Sequence, residues 1–102
     1  MTAPEGDGYK SSDDAMYVDT TEKFRDAMLR KLRKHADKGG WYTMNLPYLL
    51  ARLKQEIDEL EDAIYSFDRS ESVENECADC ANFLMMIADN YRKGHRVSDR
   101  TW

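Results

Sequence analysis

The sequence lacks the features that carry proteins into or across membranes. Charged residues interrupt every apolar stretch before it reaches the roughly 18 residues that a membrane-spanning helix needs. The N-terminus has no basic segment followed by an apolar one, which a secretory signal peptide requires. Two cysteines, three residues apart, are too few for the disulfide framework of a small secreted protein. We therefore predict a cytoplasmic protein that does not associate with membranes.

Strand signals are also scarce, because no segment alternates apolar and polar residues and β-branched residues are few. Helical periodicity appears three times instead. The first helix is predicted to run from Asp19, which with Glu22 resembles a capping box, to the glycine at Gly39. The second and third helices are predicted over residues 46–66 and 73–92. The predicted fold class is all-α, with three main helices per chain.

The size of the helical part predicts an assembly of more than one chain. Residues 1–18 are polar and lack an apolar period, so they are predicted to form a mobile tail, and residues 94–102 form a second tail. The helical domain between them, residues 19–93, has about 75 residues, which is close to the lower limit for a self-sufficient core. We therefore predict a helical bundle completed by homo-oligomerisation, as a homodimer or homotetramer, with the apolar third helix in the interface.

The net charge of −5 is unevenly distributed along the chain. Residues 22–38 contain seven Lys or Arg against three acidic residues, so the first helix is basic and the remainder is strongly acidic. An acidic chain with one basic helix is a poor candidate for binding nucleic acid. The distribution suits a site in which carboxylates hold cations and nearby basic side chains meet an anionic substrate.

Two acidic pairs are the most informative motifs. Glu56 and Glu59 lie three residues apart on the second helix, and Glu76 and Asp79 on the third, so each pair shares a helix face. The third helix is apolar nearly all round and is expected to be buried. Buried carboxylates are costly unless they are paired or bind a metal, and oxygen ligands favour hard cations such as Mg²⁺ or Mn²⁺. The two pairs therefore predict a metal site.

With these motifs the chain resembles the MazG-like all-α nucleoside triphosphate pyrophosphohydrolases, a superfamily that includes dimeric dUTPases and dCTP pyrophosphatases. That family has Glu-x-x-Glu followed on the next helix by Glu-x-x-Asp, and here 16 residues separate Glu59 from Glu76. The apolar residues around both pairs match as well. Trp41 lies 15 residues before Glu56, where dCTP-pyrophosphatase-like members place a tryptophan near the base. The resemblance extends over residues 20–92.

The resemblance implies an enzyme that hydrolyses a nucleoside or deoxynucleoside triphosphate to the monophosphate and pyrophosphate. It implies that the catalytic residues are also the ligands of Mg²⁺, with Mn²⁺ as the alternative metal: Glu56, Glu59, Glu76 and Asp79. Metal bound there would position phosphate oxygens and activate the attacking water. Phosphoryl transfer needs such positioning more than covalent chemistry, so the absence of a Gly-rich phosphate loop from the sequence does not exclude this activity.

Five further residues are candidates for substrate binding: Trp41, Asn82, Phe83, Asn90 and Lys93. Trp41, in a glycine-bounded loop, is interpreted either as a stacking partner for the base or as a packing residue. Asn82 and Phe83 lie beside or on the face of the second acidic pair and could contact the sugar or base. Asn90 and Lys93 end the third helix and are candidates for phosphate contact, with stabilisation of the helix dipole as the alternative.

The same residues allow other interpretations. Cys77 and Cys80 are interpreted as core residues, because a redox Cys-x-x-Cys normally opens a helix in a βαβ unit. A ferritin-like di-metal centre is disfavoured, because neither histidine follows a glutamate by three residues. The alternative function is a non-catalytic helical module that binds a nucleotide or a partner protein, and a purely structural helical dimer is a third hypothesis. The complete set of four carboxylates favours the enzyme.

Overall fold

The computed structural model describes residues 7–66 and 72–97, with side chains from residue 13 onward. The described chain forms three helices, α1 (Asp7–Lys34), α2 (Leu46–Tyr65) and α3 (Val73–Arg92), and a short 3₁₀ turn at Ala36–Lys38. No strand occurs among these residues, so the prediction of an all-α chain with three main helices is confirmed. In this part of the chain, no helix is both long and apolar enough to cross a membrane.

The local sequence explains where α2 and α3 begin. The Asn45 side chain caps α2 by accepting a hydrogen bond from the backbone N–H of Tyr48 at 2.8 Å. Pro47 lies in the first turn, where a missing N–H leaves no helical hydrogen bond unmade. Ser72 caps α3 in the same way, accepting from the Asn75 N–H at 3.3 Å. Both helices begin at the residues that the sequence predicts.

The first helix is longer than predicted, because α1 begins at Asp7 rather than near Asp19. The Asp19 carboxylate pairs with Lys23 at 3.0 Å, one turn further along a continuous helix, instead of capping a new one. Residues 13–23 are all exposed and contribute nothing to the buried core. Part of the predicted N-terminal tail is therefore helical but projects from the core. The outer ends of both predicted tails lie outside the described residues: 1–6 and 98–102.

Helices α2 and α3 form an antiparallel pair around a small core. Arg52 lies over the ring of Phe83, while Glu56, one turn later, meets Asp79, one turn earlier. This reversed order of contacts establishes the antiparallel arrangement. The buried apolar residues are few and come from all three helices: Ala27, Leu49, Leu53, Ala63, Ala78 and Cys80. Cys80 is thus a core residue, as the sequence predicts.

Helix α1 packs mainly against α3 and makes few contacts with α2. Ala27 is fully buried at the contact with α3. Beside it, the Asn82 side-chain amide donates a hydrogen bond to the backbone carbonyl of Met28 at 3.2 Å. Because α1 packs mainly against α3, a cleft remains between α1 and α2, with α3 as its floor.

Two apolar stripes stay exposed on the α2–α3 pair. On α2, Leu50, Ile57 and Ile64 recur every seven residues, and each is nearly half exposed. On α3, Leu84 and Tyr91 are also seven residues apart and exposed. The described residues therefore leave two rows of apolar side chains uncovered.

Candidate functional site

Three carboxylates converge between α2 and α3. Glu56 comes from α2, Glu76 and Asp79 come from adjacent turns of α3, and each offers an oxygen within 4.8 Å of those of the other two. Glu56 and Glu76 are buried, with 8% and 5% of their surface exposed, and Asp79 is half-buried. Leu49, Glu56 and Ala63 are seven residues apart, so Glu56 lies in the middle of the line of α2 residues that faces α3.

Glu59, the fourth predicted ligand, is exposed and lies outside this group of three. It follows Glu56 by three residues, which rotates it by about 60° around a helix of 3.6 residues per turn. Its charge still acts on the site. Burial, and then the charges of Glu59 and Asp79, raise the pKa of Glu56 above its ordinary value, while Arg52 lowers it. The structure thus brings three of the four predicted ligands together and leaves Glu59 at their edge.

Two basic side chains balance the carboxylates. The Lys31 ammonium of α1 lies 3.4 Å from Asp79 Oδ2, and only 15% of the Lys31 side chain and 22% of the Asp79 side chain are exposed. Arg52 Nη2 lies 3.4 Å from Glu56 Oε2, one turn away on α2. The Arg52 guanidinium also sits 5.0 Å from the centre of the Phe83 ring, an attractive cation–π contact that fixes its position. The cluster therefore has a cation on either side.

A pocket of about 380 Å³ opens beside the cluster, in the cleft between α1, the loop before α2 and the α2–α3 pair. Glu56 and Asp79 form its acidic part. Its basic or titratable wall consists of Lys31, His35, Lys38 and Arg52. Its apolar and aromatic wall consists of Leu32, Trp41, Met44, Tyr48, Phe83 and Met86. The volume and the mixture of apolar walls with a few charged groups are typical of small-molecule sites.

Asn82 lines the same pocket and has a hydrogen-bonding atom to spare. Only 4% of its surface is exposed. Its side-chain nitrogen donates to Met28 of α1, while its Oδ1 is buried and accepts no hydrogen bond from any described residue. A buried acceptor without a partner is costly, and because this atom has almost no exposed surface, a ligand in the pocket would reach it only after the Asn82 side chain turned. Asn82 and Phe83 both lie at the pocket, and their contact with substrate stays a prediction.

The indole of Trp41 lines the pocket and is hydrogen-bonded to α3. Its Nε1 donates to Asp89 Oδ2 at 3.0 Å. Asp89 also pairs with Lys93 at 2.8 Å and with Arg92. The hydrogen bonds from Lys93 and Trp41 hold the pKa of Asp89 below its ordinary range, so the indole donates to an ionised acceptor. Base stacking by Trp41 stays a prediction, and Lys93 pairs with Asp89 without lining the pocket.

Asn90 organises the loop that carries Trp41. It is fully buried, and its side-chain nitrogen donates to the backbone carbonyls of Trp41 and Met44 at 2.9 and 3.0 Å. Asn90 does not line the pocket. The sequence predicts substrate contact for this residue, whereas the structure gives it a loop-positioning role.

Three residues of the site are not among the residues that the sequence predicts: Lys31, Arg52 and Asp89. A signal existed for Lys31, because it follows the buried Ala27 by four residues and therefore lies on the side of α1 that packs against α3. Its partner, Asp79, is 48 residues away. For Asp89 the sequence carries no signal, because its role depends on how the loop before α2 folds back onto the end of α3.

The residues present fit a hard divalent cation. Octahedral Mg²⁺ with ligands at about 2.1 Å places those ligands about 3–4 Å apart, and the three carboxylates already offer oxygens within 4.8 Å of one another. The donor set consists of oxygens alone, which favours Mg²⁺ or Mn²⁺ over softer metals.

Comparison with known proteins adds a relative but no activity. The chain is 34% identical over 76 residues to a protein of Archaeoglobus fulgidus described as an uncharacterized protein, and the match covers 70% of this chain and 81% of the archaeal one. The chain belongs to the family of this archaeal protein. No protein-family model matches the chain, and no solved structure does. The resemblance to MazG-like pyrophosphohydrolases therefore stays a prediction.

Proposed function

We propose that the protein is a Mg²⁺-dependent nucleotide pyrophosphohydrolase that converts a nucleoside or deoxynucleoside triphosphate to the monophosphate and pyrophosphate. The observation that carries the proposal is the convergence of Glu56, Glu76 and Asp79 at the acidic end of a pocket that also has basic and aromatic walls. A nucleoside triphosphate has the matching parts: a polyphosphate that binds metal and cations, and an aromatic base.

Glu56, Glu76 and Asp79 would hold the cation, with Glu59 beside them. A divalent cation bound there supplies charge neutralisation for the phosphates and a water activated for attack. The side chains of the protein supply the fixed spacing of the ligands and the positive charge that meets the phosphates. Carboxylates on two packed helices keep a fixed spacing, and Arg52, held by Glu56 and the ring of Phe83, presents a guanidinium to phosphate oxygens.

The aromatic wall offers the place for the nucleoside. Trp41 is the largest ring in the pocket, and Asp89 and Asn90 fix it through the indole N–H and the loop backbone. A ring that is already held in place loses little conformational freedom when a base stacks on it. Asn82, which lines the pocket, is the candidate for a hydrogen bond to the sugar or the base.

We also propose that the protein is a cytoplasmic homo-oligomer, a homodimer in its simplest form. On α2 the exposed stripe is rotated about the helix axis from the residues that face α3. On α3 the exposed stripe is rotated in the same direction from the residues that face α2. In an antiparallel pair, both stripes then lie on the side of the pair away from the pocket. Pairing two such faces would cover the exposed apolar rows, and a stable interface of this kind buries more than about 1,000 Å².

The test is a panel of nucleoside and deoxynucleoside triphosphates with Mg²⁺, monitored for release of pyrophosphate. The wild type should release pyrophosphate from at least one of them. Asp79→Asn, which keeps the side-chain shape but removes the charge, should lose that activity by at least about a hundredfold, an expected loss of about 2.7 kcal/mol in transition-state stabilisation. Asp58→Asn, an exposed position on α2, is the matched control and should remain active.

A non-catalytic nucleotide-binding module is the second candidate. Two observations favour it: only three carboxylates meet, and one of them already pairs with Lys31. Binding of a triphosphate with Mg²⁺, without pyrophosphate from any member of the panel, would replace the enzyme by this module.

A further inference from the structure

The Lys31–Asp79 contact joins the basic helix to the acidic cluster. Lys31 comes from α1, whereas all three carboxylates come from the α2–α3 pair. Ion pairs at exposed surfaces contribute little, because water and salt screen them. This pair is largely shielded from solvent and lies where three negative charges meet. The ammonium therefore supplies positive charge at the same place that a divalent cation would.

A cation held by the cluster and the ammonium of Lys31 cannot both stay against Asp79 without repelling each other. Two like charges about 4 Å apart repel strongly even at an effective dielectric constant of about 20. Lysine carries its charge on a flexible four-carbon chain, so its ammonium can move while its Cα stays in place. Lys31 also lines the pocket, so the ammonium has a neighbouring space that it can enter.

Arg52 is a poor candidate for the same movement. Its guanidinium is tied to Glu56 on its own helix and to the ring of Phe83. Lys31 has a different setting. His35 follows it by four residues and Lys38 follows His35 by three, and all three line the same wall of the pocket. An anion that enters the pocket along this side of α1 meets Lys31, whose ammonium lies 3.4 Å from Asp79.

We propose that Lys31 exchanges partners. It pairs with Asp79 in the metal-free protein, and it pairs with a phosphate-type anion in the pocket when Glu56, Glu76 and Asp79 hold a divalent cation. This inference rests on the proposed function for the metal and for the phosphate class of ligand, but not on hydrolysis. It makes Lys31 a competitor of the metal and a partner of the anion, so its removal affects the two affinities in opposite directions.

The experiment uses calorimetry on the full chain and compares Lys31→Met with Lys34→Met. Lys34 is exposed on the same helix and does not line the pocket, so its variant controls for the loss of one positive charge. The first titration is Mg²⁺ into metal-free protein. The second is pyrophosphate into protein at a Mg²⁺ concentration that saturates each variant. Circular dichroism at each step shows that the variants are folded.

Lys31→Met should bind Mg²⁺ about three- to tenfold more tightly than the wild type, as expected for loss of a partly shielded competing charge. With Mg²⁺ present, it should bind pyrophosphate about tenfold more weakly, the usual order for one charge-assisted contact. Lys34→Met should stay within about twofold of the wild type in both titrations, since an exposed charge contributes little. Lys31→Arg, which keeps the charge, should recover most of the pyrophosphate affinity.

Three results would overturn the exchange: unchanged or weaker Mg²⁺ binding by Lys31→Met, unchanged pyrophosphate binding by that variant, or equal effects from Lys34→Met. A wild type that binds no Mg²⁺ would also overturn it. The proposed hydrolase activity can fail while the exchange holds. In that case Lys31→Met shifts the Mg²⁺ and pyrophosphate affinities in opposite directions, but the wild type releases no pyrophosphate from any triphosphate.

Discussion

Replacing Glu56 with Gln should stabilise the metal-free protein and remove its response to Mg²⁺. In the folded chain, the Glu56 carboxylate is buried within 4.8 Å of oxygens from Glu76 and Asp79, and 3.4 Å from Arg52. Burial and the charges of Glu59 and Asp79 disfavour the ionised form of Glu56, and together they outweigh the attraction to Arg52. At an effective dielectric constant of about 20, one charge at the 4.8 Å limit costs about 3–4 kcal/mol and the attraction to Arg52 at 3.4 Å returns about 5 kcal/mol. Because several unfavourable effects act against this one attraction, Glu56→Gln should stabilise the fold by about 1–2 kcal/mol.

Thermal unfolding at fixed protein concentration measures both effects. In a domain of this size 1 kcal/mol corresponds to about 4–8 °C, so the variant should melt about 5–10 °C above the wild type in the presence of a chelator. Mg²⁺ at a hundredfold excess over its dissociation constant should stabilise the wild type by about 2.7 kcal/mol and the variant much less. Glu61→Gln, at an exposed position on α2, is the control and should follow the wild type.

The pH dependence gives an independent check on the same reasoning. The folded pKa of Glu56 is raised above the ordinary value of 4.5, so folding favours its protonated form. The stability that this group contributes is present below pH 4.5 and is lost as the pH rises through the raised pKa. The difference in melting temperature between Glu56→Gln and the wild type should therefore grow as the pH rises from 4.5 to 7. A variant that is less stable than the wild type at pH 7, or that keeps the full Mg²⁺ response, would refute the argument.

Three further outcomes are expected. Trp41→Ala should weaken nucleotide binding by about ten- to hundredfold, the effect of losing one stacked base, and calorimetry should show an unchanged Mg²⁺ affinity. Trp41→Phe should retain most of the nucleotide affinity. If Trp41→Ala binds nucleotide as tightly as the wild type, Trp41 is a packing residue. Asn90→Ala should lower the unfolding free energy by about 1–3 kcal/mol, because it leaves the carbonyls of Trp41 and Met44 without a donor; unchanged urea unfolding would contradict this. Ile57→Glu should turn an oligomer into a monomer in light scattering, and a monomeric wild type at micromolar concentration would refute the assembly.

Periodicity and capping residues were enough to predict α2 and α3. The side chains of Asn45 and Ser72 cap the first turns of α2 and α3, and such capping depends only on residues that are close in sequence. The start of α1 was not predictable in this way. The same Asp and Glu spacing that caps one helix also occurs within a continuous one, and Asp19 pairs with Lys23 instead. Whether a cap forms there depends on the residues before it, which show no apolar period.

The site was predictable in composition but not in detail. Sequence spacing put Glu56 with Glu59, and Glu76 with Asp79, on common helix faces. It did not fix how far α2 is rotated about its own axis against α3, and that rotation decides that Glu56 points inward while Glu59 is exposed. The roles of Lys31 and Asn90 depend on contacts between residues that are more than 45 positions apart. Such contacts follow from packing and leave no periodic pattern in the sequence.

The packing of α1 mainly against α3 has a consequence for the order of folding. The carboxylate cluster, Arg52 and the Trp41 loop all belong to residues 41–92, whose helices are joined by short connections. Contacts that are close in sequence form early, because they close short loops, so we expect the α2–α3 pair to form in the folding transition state and α1 to dock afterwards. Ala27→Gly, at the buried contact of α1, should then speed unfolding and leave the folding rate nearly unchanged in stopped-flow experiments. Lys31 would reach Asp79 only in this last step, so that the acidic cluster is assembled before its lysine partner arrives.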